Sequence, residues 1–244
     1  MTLKVQRVRS PILTIRSGPP VITIALASNK GGCAKTTMAC ALATDLALDG
    51  LRASILDCDP NQHAAAFGRR ADLPGFSIVP NVGEESVIGE IRNARSGCDF
   101  LILDLPGVAS RLTILGIGKA AFVIVPCQQS APDLRDALRT NHQIDETGDI
   151  GNRVIGRAML WTRVPSGFES RVARQIRSDG ETRMPTFSSS LMERTAYKEM
   201  LLTGVPPRVS DPDGAAAANI QAIKSELLRR LAELDAAVRT EALA

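Results

Sequence analysis

Short apolar segments alternate with helical patterns along most of the chain. Each segment is rich in Val, Ile, Leu and Ala and is shorter than an ordinary helix, which is typical of buried strands. Buried strands with helical patterns between them predict an α/β fold with a doubly wound, mainly parallel β-sheet and helices on both faces. The predicted strands are Val21–Ala27, Ala53–Leu56, Phe76–Val79, Phe100–Leu103, Ala121–Val125 and Val154–Trp161.

Helical periodicity occupies the intervals between these strands and most of the last third of the chain. The final helix places its apolar residues on one stripe and mixes both signs of charge on its other face. We therefore expect it to pack on its own domain rather than on a membrane surface. The main predicted helices are Lys35–Asp49, Glu84–Arg95, Pro132–Thr147, Gly167–Ser178, Leu191–Leu202 and Ala215–Val238.

Composition and punctuation divide the chain into a tail and one domain. Residues 1–20 are basic and end in Ser17-Gly18-Pro19-Pro20, which predicts a tail before a single domain at 21–244. Hydrophobic residues make up 44% of the chain but aromatic residues only 3%, which indicates an aliphatic core. The first twenty residues lack an unbroken apolar stretch, so we expect no leader peptide. The sequence has no apolar run of roughly 18 residues and no zinc-like spacing among its five cysteines. We expect a cytoplasmic protein with reduced thiols and no membrane partner.

Residues 30–37 read Lys-Gly-Gly-Cys-Ala-Lys-Thr-Thr and stand between the first predicted strand and the first predicted helix. Glycines let the backbone approach a ligand closely, and backbone N–H groups at the start of a helix attract phosphate. A lysine adds positive charge, and the hydroxyl that follows it can reach Mg²⁺. The segment therefore predicts a phosphate-binding loop.

The spacing K-G-G-x-x-K-[ST] in this loop differs from the common G-x-x-x-x-G-K-[ST] pattern, because Asn29 and Ala34 stand where that pattern has glycine. In this form the chain resembles the ParA/MinD family of P-loop ATPases, which carry a deviant Walker A motif, from about Val21 to the C-terminus. The resemblance implies ATP and Mg²⁺ as cofactors and a weak, Mg²⁺-dependent, partner-stimulated ATPase activity. It assigns nucleotide binding to Lys30, Gly31, Gly32, Cys33, Ala34, Lys35, Thr36 and Thr37.

Four of these residues receive individual roles from the resemblance. Lys35 is expected to hold the β- and γ-phosphates, Thr36 to coordinate Mg²⁺ and Thr37 to hydrogen-bond the α-phosphate. Lys30 is expected to reach the nucleotide of a second subunit. Activity would then depend on an ATP-bound homodimer, in the manner of an arginine finger supplied in trans.

Two acidic loops follow predicted strands at the edge of the sheet where ligands of doubly wound folds bind. By the resemblance, Asp57-Cys58-Asp59-Pro60 is the switch segment, in which Asp59 orients the attacking water and Asp57 lies near Mg²⁺. Asp104 matches the Walker B aspartate that holds the metal through water. An aspartate after a strand is also a common turn former or helix cap, so the order of the three elements carries the assignment. The expected catalytic residues are Lys30, Lys35 and Asp59.

The second half of the chain narrows the resemblance. Thr162 and Arg163 end the sixth predicted strand, where the family places residues that contact the nucleotide base. The stretch from Met192 to Gly204 is similar to that of small, ParF-like plasmid-partition ATPases and of related ATPases that process transferred DNA. Residues 1–20 are too short for a helix-turn-helix domain, so we do not expect sequence-specific operator binding.

Arginines are concentrated between residues 153 and 183, a segment that contains seven arginines and only three acidic residues. Such a run forms either a solvated helical face or a surface that contacts phosphates. The resemblance favours the second interpretation, because an ATP-bound dimer would place two copies of the patch on one surface. The predicted DNA-binding residues are Arg171, Arg174, Arg177 and Arg183.

These features predict a nucleoid-associated ATPase that dimerises with ATP, binds DNA non-specifically and acts in plasmid or chromosome partition, with hydrolysis releasing the dimer. A centromere-binding or cargo adaptor protein is expected to stimulate hydrolysis. The alternatives are a MinD-like positioning ATPase acting on a membrane or protein cargo, an accessory ATPase of conjugative DNA transfer, and a nucleotide-gated scaffold. The sequence after Arg239 lacks a basic amphipathic stretch and disfavours the first, and Asp59 disfavours the last.

Overall fold

The computed structural model describes residues 21–94 and 96–241. The strands are β1 (Ile22–Leu26), β2 (Ala53–Asp57), β3 (Phe76–Val79), β4 (Phe100–Asp104), β5 (Phe122–Cys127), β6 (Gly156–Val164) and β7 (Leu191–Met192). The helices are α1 (Lys35–Leu48), α2 (His63–Gly68), α3 (Val87–Ala94), α4 (Arg111–Ile117), α5 (Ala131–Ile150), α6 (Arg171–Arg183), α7 (Thr195–Thr203), α8 (Pro207–Ser210) and α9 (Ala215–Glu241).

The strands of the described residues form one sheet in the order β3-β2-β4-β1-β5-β6-β7, and their pairings are all parallel. Strand β1 lies between β4 and β5, so that Leu26 is opposite Asp104 on one side and Ile124 on the other. The strand order changes direction around β1, which is the arrangement of a doubly wound fold. The fold class predicted from the sequence is confirmed.

Apolar side chains of the sheet divide between two clusters, one on each face. Ile24 and Leu26 belong to a cluster with residues of α1, α7 and α9, whereas Ala25 and Ala27 belong to a cluster with residues of α3, α4 and α5. Helices therefore cover both faces, as the alternation of side chains along a strand requires. Among the described helices, none has both the length and the apolar character needed to cross a membrane.

Four short elements are absent from the sequence-based prediction: α2, α4, α8 and β7. Each has between two and seven residues, which is too few to show a hydrophobic period. The helix predicted at Leu191–Leu202 is accordingly wrong at its start, because Leu191 pairs with β6 and the helix begins at Thr195. The tail predicted at residues 1–20 lies outside the described residues.

Buried charges join the C-terminal helix α9 to α1. Lys224 is 5% exposed; its Nζ lies 2.5 Å from Asp45 Oδ2 and also pairs with Asp49. Arg208 in α8 pairs with the same two carboxylates, at 3.1 Å and 2.7 Å. Since α1 begins at the predicted phosphate loop, these ion pairs hold in place the helix on which that loop depends.

Candidate nucleotide site

The loop between β1 and α1 has the backbone conformation of an anion-binding site. Gly32 and Ala34 have φ angles of 76° and 70°, and they alternate with residues of negative φ. This alternation turns successive N–H groups towards one concave side, as in anion-binding nests. The first turn of α1 contains no acidic residue, so the positive end of its dipole is not neutralised there.

The two lysines of the loop have different environments. Lys35 is 6% exposed, and its Nζ donates to the backbone oxygen of Lys30 at 3.1 Å. Lys30 extends the other way, its Nζ lying 2.9 Å from Asp133 Oδ1 while 41% of its side chain is exposed. Lys35 thus lies inside the loop, whereas Lys30 lies at its rim.

Asp133 lies in the first turn of α5 and is the residue that pairs with Lys30. It is 7% exposed, and its backbone N–H donates to the side chain of Ser130, the N-cap of α5. The hydrogen bond from Lys30 to Asp133 raises the pKa of Lys30 above its usual value. In the single subunit, Lys30 therefore forms an ion pair with a residue of its own chain.

Asp104, the last residue of β4, is a buried carboxylate without a hydrogen-bond partner. It is 1% exposed, and neither of its oxygens accepts a hydrogen bond from the described residues. The pKa of Asp104 is raised to about 7, mainly by burial, and the nearby Thr36 hydroxyl and Lys35 only partly oppose this rise. Thr36 is near Asp104 but does not complete a hydrogen bond to its carboxylate. Burying a carboxylate without a partner costs free energy. A bound cation would offset this cost, so Asp104 is a candidate cation ligand.

The oxygen atoms that the described residues place around Asp104 suit Mg²⁺ that is held partly by a nucleotide, and they are too few to hold a metal ion without one. Thr36 and Asp104 supply oxygen atoms, whereas the described residues contain no group of three His, Cys, Asp or Glu side chains that could form a closed metal cage. Mg²⁺ is usually bound through one or two carboxylates, waters and substrate phosphates. The residues therefore fit Mg²⁺ that is bound together with a nucleotide.

Asp57 and Asp59 shape the loop after β2. Asp57 is fully buried and accepts hydrogen bonds from the backbone N–H groups of Asp59 at 3.2 Å and Ala65 at 2.8 Å. Burial raises the pKa of Asp57, and these two hydrogen bonds oppose that effect. Asp59 is partly exposed, and its Oδ1 accepts from the backbone and side chain of Asn61. Through these two hydrogen bonds, Asp57 fixes the backbone of the loop that contains Asp59.

Two further residues connect neighbouring loops to the phosphate loop. A Cβ atom on Gly107, just after β4, would lie 2.9 Å from both the Cα and the N of Gly31, so only glycine fits there without a shift. Gln128, just after β5, donates from Nε2 to the carbonyl of Gly32 at 3.2 Å. The loop is therefore supported by both strands that flank β1.

Thr162 and Arg163 lie at the same edge of the sheet, at the end of β6. Thr162 is 1% exposed, and its hydroxyl has no hydrogen-bond partner among the described residues. The pairing of β6 with β7 shifts register between Thr162 and Val164, and Arg163 has a φ of 53°. A non-glycine residue in this region is strained, which is a feature of functional loops. Arg163 is exposed at this irregularity.

The four arginines predicted to bind DNA are not equivalent. Arg177 turns inwards: it pairs with Glu169 at 3.1 Å, and its guanidinium lies 5.7 Å from the ring centroid of the buried Trp161. Arg183 pairs with Asp179 at 3.5 Å. Arg171 and Arg174 are exposed and make no salt bridge to a described residue.

Comparison with known proteins identifies the family. The VirC1 protein family matches residues 21–235. The chain belongs to this family. It is also 30% identical to the protein ParA of Rhizobium radiobacter over 220 residues, which cover 88% of this chain and 98% of that protein. The VirC1-family chain is therefore a ParA/MinD-type ATPase related to plasmid-partition proteins, as the phosphate loop predicts.

Solved structures confirm the fold of the VirC1-family chain. The ATP complex of a Cyanothece McdA variant has a TM-score of 0.71 at 18% identity, covering 86% of this chain and 97% of that one. The septum site-determining protein MinD of Pyrococcus horikoshii, complexed with Mg-ADP, has a TM-score of 0.66 at 16% identity and covers 85% and 96%. At these identities the likeness shows the fold, and the roles of individual residues stay predictions.

The structure of this VirC1-family chain brings most of the predicted site together. Residues 30–37 lie beside Asp104, and the Asp57–Pro60 loop follows the neighbouring strand β2 at the same sheet edge, where Thr162 and Arg163 also lie. Sequence reasoning missed Gly107, Gln128 and Asp133. The Ser130-x-x-Asp133 spacing indicates a helix start, but nothing in the sequence shows that Asp133 meets Lys30.

Proposed function

We propose that this chain is an ATPase that dimerises with ATP, binds DNA non-specifically in that state and acts in DNA partition. The observation that carries the proposal is the opposite placement of two lysines in one loop. Lys35 is buried beneath the backbone, where it would neutralise the chain's own nucleotide. Lys30 is at the rim and half exposed, where a second subunit could place its nucleotide.

The residues around the loop have distinct tasks in this proposal. Backbone N–H groups of the loop and the Lys35 ammonium bind the β- and γ-phosphates, and the Thr37 hydroxyl binds the α-phosphate. Thr36 and Asp104 would hold Mg²⁺, which would offset negative charge on the triphosphate. Thr162 and Arg163 would contact the base, and the buried, unpartnered Thr162 hydroxyl suits such a contact.

Asp59 is the residue proposed to orient the attacking water. Its Oδ1 is fixed by Asn61, whereas its Oδ2 makes no hydrogen bond to a described residue and can accept one from water. Asp57 positions this loop from below through two backbone hydrogen bonds. Hydrolysis would remove the γ-phosphate that Lys30 of each subunit contacts in the other, and the dimer would separate.

DNA binding in this proposal uses Arg171 and Arg174. They are exposed on α6 without salt-bridge partners among the described residues, so their charge is available to phosphates. A dimer doubles these contacts on one surface and raises affinity through counterion release and effective concentration. Arg177 supports the helix through Glu169 and Trp161 instead.

A duplex-binding assay with ATP, ADP or no nucleotide, at two salt concentrations, tests the proposal. We expect tight, salt-sensitive binding with ATP alone, and sedimentation should show a dimer in the same condition. The Lys30→Ala variant should bind ATP but neither dimerise nor hold DNA. Duplex binding that is indifferent to nucleotide would contradict the proposal.

A charge-matched pair of variants locates the DNA surface. Arg171→Glu combined with Arg174→Glu should abolish duplex binding while ATP binding is kept. Arg229→Glu combined with Arg239→Glu makes the same change of net charge on α9, where both side chains are more than half exposed. Equal loss of duplex affinity in the two double variants would show that net charge, not α6, governs binding.

A further inference from the structure

Phe168 is the most exposed of the large hydrophobic residues in the described part of the chain. It is 90% exposed in the loop between β6 and α6, and Val172, in the first turn of α6, is 67% exposed. Single exposed apolar residues are common and need no explanation. Phe168 differs because the residue that follows it is firmly attached.

Glu169 attaches this loop to two other parts of the molecule. Its carboxylate accepts hydrogen bonds from Gln129, in the loop after β5, and from Arg177 Nε at 3.1 Å. Arg177 in turn donates to Ser190 Oγ at 3.3 Å and lies over the buried Trp161 ring. The backbone next to Phe168 is thus held by packed residues, and the ring is held outside them.

The surroundings of Phe168 are cationic. Arg171 and Arg174 follow it on the exposed side of α6, without salt bridges to described residues, and the first turn of α6 contains no acid. An exposed ring that is followed, three and six residues later, by exposed arginines suits a ligand that presents both phosphates and flat, unstacked rings. Single-stranded nucleic acid has this chemistry, since its bases stack on aromatic side chains while its phosphates contact cations. In a duplex the bases are already stacked on each other.

We propose that Phe168, Arg171 and Arg174 form a binding surface for single-stranded DNA, in which a base stacks on the Phe168 ring. The proposal deepens the proposed function, because it rests on DNA as the ligand of α6 and adds a preference for unpaired strands. Phe168 would supply sequence-tolerant stacking, and the two arginines would supply salt-sensitive contacts to phosphate.

Fluorescence anisotropy of the full chain with ATP and Mg²⁺ tests this surface. The probes are an oligothymidine of about 16 nucleotides, a duplex of the same length, and an abasic strand of the same length that keeps its phosphates. Phe168→Ala should weaken oligothymidine binding about 5- to 150-fold, the equivalent of one lost stacking contact. It should change duplex and abasic-strand binding less than about twofold.

Two variants provide controls for the loss of the ring. Phe168→Tyr keeps a ring and should bind oligothymidine within about threefold of the parent chain. Ile150→Ala removes a side chain that is 85% exposed at the end of α5 and should not change binding of any of the three probes. Circular dichroism of each variant checks that the fold is kept.

Several outcomes would overturn the inference. These are unchanged oligothymidine affinity in Phe168→Ala, equal loss on oligothymidine and duplex, or equal affinity of the parent chain for the abasic and thymidine strands. Loss of the ATP-dependent dimer in Phe168→Ala would assign the ring to a contact between subunits. If duplex binding by the parent chain is indifferent to ATP but the ring effect persists, the proposed function fails and this inference stands.

Discussion

Asp45 and Asp104 are two aspartates that the fold removes almost completely from water, since each is 1% exposed. Asp45 in α1 has Lys224 at 2.5 Å, as an ion pair rather than a well-aligned hydrogen bond, and Arg208 at 3.1 Å. Asp104 at the end of β4 accepts no hydrogen bond from a described residue. The chain itself supplies cations for the buried Asp45, whereas it supplies no hydrogen-bond partner for the buried Asp104 among the described residues.

The difference teaches which buried charges are structural. A buried carboxylate with its own cations holds elements together, whereas one without them is costly until a ligand compensates it. The same test separates the arginines of α6. Arg177 has an acid and an aromatic ring as partners and supports the helix, while Arg171 and Arg174 have no salt bridge to a described residue and face solvent.

The largest expected effect comes from breaking the satisfied region. Lys224→Met should lower the free energy of unfolding by about 2–3 kcal/mol, because Asp45 and Asp49 lose a buried partner but keep Arg208. Urea unfolding, followed by circular dichroism, measures this change. Arg239→Met is the control: its pair with Asp235 is mostly exposed and should contribute less than about 0.5 kcal/mol. Similar losses in both variants would contradict the comparison.

Asp104→Asn should act in the opposite way. Without nucleotide and Mg²⁺ it should leave the free energy of unfolding unchanged or raise it by about 1 kcal/mol, because a desolvated charge is removed. The apparent affinity for Mg²⁺ in ATP hydrolysis should fall about 10- to 100-fold, as for other groups that hold a metal indirectly. A loss of stability like that of Lys224→Met would show that Asp104 is satisfied in the free protein.

Asp133→Asn should release Lys30 from its own chain. A half-exposed ion pair holds Lys30 weakly, so the ATP-dependent association constant of the dimer should rise about two- to fivefold. Sedimentation velocity with ATP measures the change, and Asp149→Asn, at the exposed far end of the same helix, is the control. Unchanged or weaker dimerisation would mean that Asp133 does not compete for Lys30.

The smallest expected effect concerns Ala34, which occupies a left-handed conformation. Ala34→Gly relieves backbone strain but also gives the unfolded chain more freedom, so the free energy of unfolding should change by less than about 0.5 kcal/mol. Gly32→Ala, at a φ of 76°, should instead cost about 1 kcal/mol or more. A large gain in ATP affinity in Ala34→Gly would show that the alanine restricts the loop.

Much of the fold could be predicted because parallel strands that are buried on both faces have continuous apolar runs in their sequences. Phe76–Val79 is predicted with the same bounds as β3, and the other predicted strands differ from the structure by a few residues at their ends. The two-residue strand β7 could not be found, because it is defined by pairing with β6 and not by a local pattern.

The proposed phosphate loop is recognisable in the sequence because its residues are contiguous. The partners of the loop could not be predicted, since Gly107 and Asp133 approach it only through the parallel arrangement of β1, β4 and β5. Counting charge along the chain likewise could not separate Arg177 from Arg174. That distinction depends on Trp161 and Glu169, which reach Arg177 in space.

The position of β1 between β4 and β5 also bears on how the chain is made. A ribosome synthesises Ile22–Leu26 early, but the strand lacks one neighbour until Asp104 has emerged and the other until Cys127 has emerged. Pairings between strands so far apart in sequence form slowly. A nascent chain stopped before β5 would leave one side of β1, and with it the start of the phosphate loop, without its neighbouring strand. We therefore expect truncated translation products to lack the completed nucleotide site.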